Sequence, residues 1–209
     1  MMSFISIWIL TSAILHIRAD YAHNLPQTYV FKPLTVVLIL TLALTQSPEV
    51  STFYRDLVLA GLGCSFCGDV FLMLPSDQFI KGLLSFLAAH VCYIVAFSSE
   101  CGVQAHLGYI LPVLIVGIVL LRILLPHTGK MTIPVIVYAV VILLMLWQAV
   151  ERWGMAQSHS SMLAAIGAVL FVLSDAILAY NRFARQFTLA RLVNLSTYYL
   201  AQWLIALSA

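Results

Sequence analysis

Two aspartates lie inside long apolar segments, where a carboxylate is energetically costly. Asp69 belongs to residues 56–75, DLVLAGLGCSFCGDVFLMLP, and Asp175 to residues 160–180, SSMLAAIGAVLFVLSDAILAY. A charged side chain at the centre of a bilayer costs roughly 2.5 to 3.5 kcal/mol on insertion scales, so it normally faces a protein interior or a wet cavity. Two carboxyl groups in different surroundings can serve as a proton donor and an ionised base. The pair therefore predicts acid–base chemistry on a substrate that is activated by protonation.

The alternative for each aspartate is a purely structural role, because a buried acid also ties helices together through hydrogen bonds to Ser, Tyr or Lys. The pairing of the two segments favours the functional interpretation. The aspartates are 106 residues apart in a chain of 209 residues, and the same offset pairs four further positions: Gly61 with Gly167, Gly68 with Ser174, Leu72 with Leu178, and Tyr93 with Tyr199. We therefore expect two related halves, each presenting one intramembrane acid.

Four more residues lie where they could join such a site. His90 and Tyr93 are one turn apart in a predicted helix and share a face, although a buried histidine is often a packing element. Lys32 opens a predicted helix and could bind a phosphate or neutralise an acid, with snorkelling to the membrane surface as the alternative. Arg182 follows Asp175 by seven residues on roughly the same face, where it could bind an anionic headgroup or only contact anionic lipid.

The elements that must position these residues are apolar helices. Hydrophobic residues make up 63% of the sequence and charged residues 9%, which lies outside the range of soluble domains. A helix needs roughly 20 residues to cross a bilayer. The apolar runs of the sequence predict an all-α polytopic membrane protein with one membrane domain over 1–209. About eight transmembrane helices are predicted, at 3–19, 29–45, 56–74, 79–99, 106–125, 131–150, 160–180 and 186–207. Short polar joints separate them, at 126–129 and 152–154 among others.

The offset and the charges predict the topology. Four helices in each half make the halves, about 1–103 and 104–209, two parallel four-helix repeats. Eight of the ten Lys and Arg residues lie at or near the loops that follow odd-numbered helices: Arg18, Lys32, Lys81, Arg122, Lys130, Arg182, Arg185 and Arg191. This excess predicts that those loops are cytoplasmic and that both termini lie outside. Asp69 and Asp175 each lie about 9 Å of helix rise from a cytoplasmic helix end, hence at similar depth.

Common catalytic motifs do not occur in the sequence. It contains no GxSxG, no HExxH and no Gly-rich phosphate loop, and its six histidines lack metal-ligand spacing. Nucleophilic serine catalysis and metal hydrolysis therefore find no support. Acid–base chemistry by the two carboxyl groups remains.

Four motifs resemble those of the YhhN-type lysoplasmalogenase family of eight-helix membrane proteins: FKPL at 31–34, GDVFLMLP at 68–75, HxxY at 90–93 and SDxxLAxxRF at 174–183. The similarity extends over essentially the whole chain, and the order and spacing of the motifs on hydrophobic helices make it specific. The resemblance implies hydrolysis of the vinyl ether bond of a lysoplasmalogen to a fatty aldehyde and glycerophosphoethanolamine or glycerophosphocholine.

This chemistry suits the two aspartates. A vinyl ether is hydrolysed after proton transfer to its β-carbon, so the enzyme, like a glycosidase, needs one carboxylic acid as donor and one carboxylate that stabilises the cation and activates water. The hypothesis gives these roles to Asp69 and Asp175 and leaves open which acid takes which. The other residues are assigned as follows: His90, Tyr93 and Tyr199 orient the acids or water, and Lys32 and Arg182 hold the substrate phosphate.

The same hypothesis places the single alkyl chain of the substrate in an apolar groove between the halves. It requires no metal ion and no organic cofactor, and its partners are the lysophospholipid and membrane lipid, with no nucleic acid. Short loops and compact size favour the inner membrane of a bacterium.

Two alternatives remain at this point. A proton-coupled transporter also shows repeats and intramembrane acids. It usually has helices interrupted by Gly or Pro, whereas Pro33, Pro112 and Pro134 lie near predicted helix starts, where proline is tolerated. The other alternative is a metal-dependent hydrolase of the ceramidase type, in which His90 joins the aspartates as a ligand.

Overall fold

The computed structural model describes residues 4–46, 50–103 and 105–209, and no strand occurs among these residues. The predicted all-α fold is confirmed. The α-helical segments are α1 (Phe4–Tyr21), α2 (Leu25–Thr45), α3 (Thr52–Met73), α4 (Phe79–Cys101), α5 (Leu107–Thr128), α6 (Thr132–Ala156), α7 (His159–Ala179) and α8 (Ala190–Leu207). A 3-10 turn, Gly129–Met131, joins α5 to α6, and a π-helical turn, Tyr180–Ala184, follows α7.

Five helical stretches of the described chain are long and apolar enough to cross a membrane: Leu25–Thr45, Thr52–Met73, Phe79–Cys101, Leu107–Ala156 and His159–Ala184. The fourth stretch is 50 residues long because α5, the 3-10 turn and α6 follow one another without a break. The eight crossings, the two repeats and the orientation therefore stay predictions. The predicted boundary of the halves falls at residues 103 and 104, and Gln104 lies outside the described residues.

Helix α2 begins four residues before its predicted start. The Asn24 side chain accepts a hydrogen bond from the Gln27 amide (3.2 Å), and a proline occupies the first turn, where its missing N–H costs nothing. Pro33 therefore lies inside the helix, and Pro112 lies inside α5. The prolines were expected near helix starts; Pro33 lies deeper in α2 than expected, whereas Pro112 is still close to the start of α5. Both helices are continuous, so neither is an interrupted helix of the transporter kind.

The predicted joint at 152–154 is also wrong, because α6 continues to Ala156. Arg152 is 2% exposed, and its guanidinium lies 4.4 Å from the ring centroid of Tyr54 and donates a hydrogen bond to Ser160 (3.1 Å). Gly154 faces the ring of Tyr109, which would overlap a Cβ at that position. Both residues therefore serve helix packing rather than a turn.

Small residues let the two helices that carry the aspartates approach their neighbours closely. Helix α3 packs extensively against α4, and α7 packs in the same way against α8. A Cβ at Gly61 would overlap the buried ring of Tyr93, and a Cβ at Gly167 would press on the Ala201 carbonyl oxygen at 3.0 Å. The glycines that the 106-residue offset pairs thus have the same use in the two helix pairs.

The close contact at Gly61 predicts the effect of a single methyl group. We expect Gly61→Ala to lower the free energy of unfolding by about 1 to 3 kcal/mol, because the fully buried Tyr93 ring must move. Gly63→Ala on the same helix is the matched control, since nothing lies within 4 Å of a Cβ there. Alanine at that position should be neutral or stabilise by up to about 1 kcal/mol. Thermal midpoints of the purified proteins in detergent test the pair, and equal midpoints for the two variants would contradict the packing argument.

Candidate active site

Asp69 is held by side chains from two other helices. Its carboxylate is 3% exposed, and the ammonium Nζ of Lys32, from α2, lies 3.2 Å from Oδ1. The hydroxyl of Tyr198, from α8, donates a hydrogen bond to Oδ2 at 2.5 Å. A cation and a hydroxyl donor together stabilise the ionised form of a buried carboxyl group. Lys32 and Tyr198 therefore offset part of the cost of burying an ionised carboxylate at Asp69.

A chain of hydrogen bonds continues from Tyr198 through the core. The amide nitrogen of Gln202 donates to the Tyr198 oxygen (3.3 Å), and its amide oxygen accepts from the hydroxyl of Tyr93 (2.9 Å). Gln202 is completely buried and Tyr93 lies against Gly61. This chain fixes the orientation of the Tyr198 hydroxyl, and through it the orientation of the Asp69 carboxylate.

Asp175 has different partners, again from two other helices. The hydroxyl of Tyr138, from α6, donates a hydrogen bond to Oδ2 of Asp175. The imidazole of His90, from α4, lies with Nε2 2.9 Å from the Tyr138 oxygen and 3.5 Å from the same carboxylate oxygen. His90 is completely buried. Asp175 therefore contacts a hydroxyl and an imidazole, whereas Asp69 contacts a primary ammonium group.

The direction of these bonds determines the tautomer of His90. Because the Tyr138 hydroxyl donates its proton to Asp175, its oxygen must accept from His90. The ring proton of a neutral imidazole is then on Nε2. The Nδ1 atom is buried and has no hydrogen-bond partner among the described residues.

Both carboxyl groups line one polar cavity of about 580 Å³, together with Lys32 and Tyr198. An apolar groove between α4, α5, α6 and α7 adjoins the cavity. The two share five lining residues: Leu72, Phe79, Phe86, Leu178 and Asp175. Asp175 therefore lies where a polar compartment meets an apolar one.

One wall of the cavity carries an ion pair. Arg182, in the π-helical turn, donates to Oδ2 of Asp77 at 2.5 Å, and its guanidinium lies 5.0 Å from the ring centroid of Phe79. Asp77 belongs to the loop between α3 and α4. The Arg182 hydrogen bond first, and then the bond from the Phe79 amide, hold the pKa of Asp77 below its usual value. A lowered pKa keeps this carboxylate ionised at neutral pH.

The residues singled out from the sequence do not all contact Asp69 or Asp175. Lys32 pairs with Asp69 and also lines the polar cavity, and Arg182 pairs with Asp77. Tyr93 reaches Asp69 only through other side chains. The hydroxyl of Tyr199 forms its hydrogen bond with Nδ1 of His16 (2.8 Å) rather than with an acid.

Sequence analysis missed the two tyrosines that hold the aspartates, Tyr138 and Tyr198. One signal was available for the first of them: Tyr138 lies 106 residues after Lys32, and this is the offset between the aspartates. Tyr198 adjoins Tyr199, but the helical periodicity alone did not distinguish which of the two faces the acid. No group of three or more His, Cys, Asp or Glu side chains comes together within the described ranges as a metal site.

Similar proteins match most of this chain. The human lysoplasmalogenase TMEM86B is 37% identical over 157 residues, which cover 75% of this chain and 64% of the human protein. The bovine lysoplasmalogenase TMEM86A is 35% identical over 157 residues, 73% of this chain and 64% of its own length. These alignments therefore span less than two thirds of the mammalian relatives.

A bacterial relative matches over nearly its full length. The membrane protein YhhN of Escherichia coli O6:H1 is 30% identical over 206 residues, 99% of this chain and 97% of that protein. No solved structure matches the chain. The apolar helices and this relative identify an integral membrane protein. Since the profile of the YhhN family matches residues 27–209, the chain belongs to the YhhN family.

Proposed function

We propose that this protein is a lysoplasmalogenase-like hydrolase, which cleaves the vinyl ether bond of a lysoplasmalogen by carboxyl acid–base catalysis. One observation carries the proposal: two buried carboxyl groups with different partners line a single polar cavity that adjoins an apolar groove. The relatives named lysoplasmalogenase support the same reaction.

The shape of the site fits a single-chain lipid. The apolar groove is lined almost entirely by aliphatic and aromatic side chains and accepts the alkenyl chain. The glycerol and the phosphate then lie in the polar cavity, where Arg182 is the exposed cation on the wall next to the groove. The vinyl ether, which joins chain and glycerol, falls beside Asp175 at the junction of the two spaces.

The partners of the two acids divide the catalytic roles. Asp69 is the ionised carboxylate, because the ammonium group of Lys32 and the Tyr198 hydroxyl stabilise its charge. Asp175 is the proton donor, because its partners are a hydroxyl and a buried imidazole with no primary cation beside it. Tyr138 and His90 form a hydrogen-bonded series with Asp175, which holds the carboxyl group in one orientation.

The catalytic cycle can be completed with these two acids and one water molecule. Asp175 gives its proton to the β-carbon of the vinyl ether, and the resulting oxocarbenium ion is stabilised by ionised Asp69. Water adds to this ion and passes a proton to Asp69, which produces a hemiacetal. The hemiacetal O–H then returns a proton to Asp175 while the C–O bond to glycerol breaks, and Asp69 protonates the departing oxygen. Aldehyde and glycerophospho-alcohol leave, and both acids are back in their starting forms.

A proton-coupled transporter remains the second candidate, favoured by the two acids in a polar cavity. The two functions differ in product. A hydrolase releases aldehyde in detergent solution, whereas a transporter shows counterflow in proteoliposomes and forms no product.

The carboxyl pair predicts the behaviour of two amide variants. We expect the purified protein to release aldehyde from a lysoplasmalogen, and Asp69→Asn and Asp175→Asn each to lower kcat at least about 100-fold, since each removes one of two proton-transferring groups. Asp56→Asn is the matched control, because Asp56 is an exposed aspartate on the same helix as Asp69. Aldehyde is measured with a coupled dehydrogenase assay. Substantial activity in either site variant, with the control normal, would remove that carboxyl from the mechanism.

The link between Asp175 and His90 predicts a separate effect at Tyr138. Tyr138→Phe keeps the ring but removes the hydroxyl that bonds both residues. We expect kcat to fall roughly tenfold or more, with KM changed by less than about twofold, because the substrate pocket keeps its shape while the hydroxyl that orients the Asp175 carboxyl group is lost. Tyr109→Phe, which alters a tyrosine against Gly154 instead, should keep both constants. A rise in KM with normal kcat for Tyr138→Phe would instead indicate a packing role.

A further inference from the structure

The Asp77–Arg182 ion pair lies near the junction of the polar cavity and the apolar groove. Phe79, whose ring lies under the Arg182 guanidinium, lines both the apolar groove and the polar cavity. Phe183 packs edge-on against Phe79, with the ring centroids 5.8 Å apart. The pair therefore lies beside the part of the groove that Phe79 and Phe183 line.

A further cavity of about 470 Å³ lies on the other side of the pair. Asp77, Arg182 and Phe183 line it, together with Lys81. The Lys81 ammonium lies 5.9 Å from the ring centroid of Phe71. The carboxylate of Asp77 is thus the anionic group of a space that is next to the groove and large enough for a small headgroup.

We propose that Asp77 binds the ammonium group of a zwitterionic phospholipid headgroup, such as phosphoethanolamine, while Arg182 binds its phosphate. This inference rests on the proposed function for the identity of the lipid. The charges of such a headgroup, phosphate and then ammonium, are complementary to the arginine and aspartate. Binding exchanges one internal ion pair for two pairs with the ligand, so no charge is left without a partner.

The geometry of the pair suits this exchange. The side chains of Arg182 and Asp77 are 46% and 64% exposed, so separating them buries no unpaired charge. About 10 Å of helix rise separates Asp175 from Arg182, and the flexible arginine side chain shortens the gap to a phosphate that lies three carbons from the ether. The aromatic rings of Phe79 and Phe183 flank the pair and offer a favourable surface to a cation.

A second ion pair in the same polar cavity is less suitable. Arg191 donates to Asp20 at 3.3 Å, and both residues line the cavity. Neither residue lines the apolar groove. Asp77 and Arg182 do not line the groove either, but the Arg182 guanidinium lies over Phe79, which does. A headgroup attached to a chain in the groove is therefore nearer to Asp77 than to Asp20. The Asp20 pair serves as an internal control for any general effect of charge.

The test compares two vinyl ether substrates with the same alkenyl chain and glycerophosphate, one ending in ethanolamine and the other in ethanol. We expect Asp77→Asn to lower the ratio of kcat/KM for ethanolamine over ethanol by roughly three- to fivefold, about the value of an exposed ion pair. The asparagine side chain keeps an oxygen that can accept the hydrogen bond from the Phe79 amide. The conformation of the loop between α3 and α4 is therefore preserved. Asp20→Asn should leave the ratio unchanged, and Arg182→Gln should raise KM for both substrates.

Two results of this test would overturn the proposal. An unchanged ratio in Asp77→Asn, with both KM values lowered alike, would mean that Asp77 only competes for Arg182. A fall in the ratio for Asp20→Asn instead would move the ammonium site to the second pair. If the wild type releases no aldehyde, the hydrolase proposal fails, and the same ratio is then measured as Kd for the saturated alkyl ethers with the two headgroups. That measurement decides the role of Asp77 independently of turnover.

Discussion

An ionised carboxylate that leaves water loses several kcal/mol of solvation unless a cation and hydrogen-bond donors replace the water molecules. The arrangement around Asp69 follows from this requirement, because Lys32 and Tyr198 reach it from α2 and α8. At Asp175, Tyr138 and His90 from α6 and α4 supply hydrogen-bonding partners but no primary ammonium group. Contacts of the two acids thus connect six helices. A substitution of any partner residue changes the surroundings of a carboxyl group.

The same requirement explains why a cavity persists beside the acids. A polar group that faces apolar side chains alone is costly, so the space between the acids is lined by further polar residues, while the groove next to it is apolar. An amphiphilic ligand is the kind of molecule that satisfies both surfaces at once. A polar solute would leave the groove empty, and a hydrocarbon would leave the carboxyl groups without partners.

The all-α membrane fold and the two acids could be predicted because hydrophobic run length and a charge within a run are local signals. The contacts of the site could not, since they depend on which faces of α6 and α8 turn inward. Tyr198 and Tyr199 are adjacent in sequence, and only packing shows that the first meets Asp69 while the second meets His16. The prediction of a joint at 152–154 was wrong for a similar reason. Arginine and glycine are common in turns, but here Tyr54 and Tyr109 pack against them within a helix.

The difference between the two acids arises at positions that the 106-residue offset makes equivalent. Lys32 stands at one of these positions beside Asp69, and Tyr138 stands at the other beside Asp175. A lysine supplies a positive charge, so it favours the ionised form of its aspartate, whereas a tyrosine supplies only a neutral hydroxyl. Two similar carboxyl groups in one cavity would otherwise compete for a single proton without preference. The unlike partners remove this equivalence, and the proposed acid–base catalysis by two carboxyl groups requires such an asymmetry.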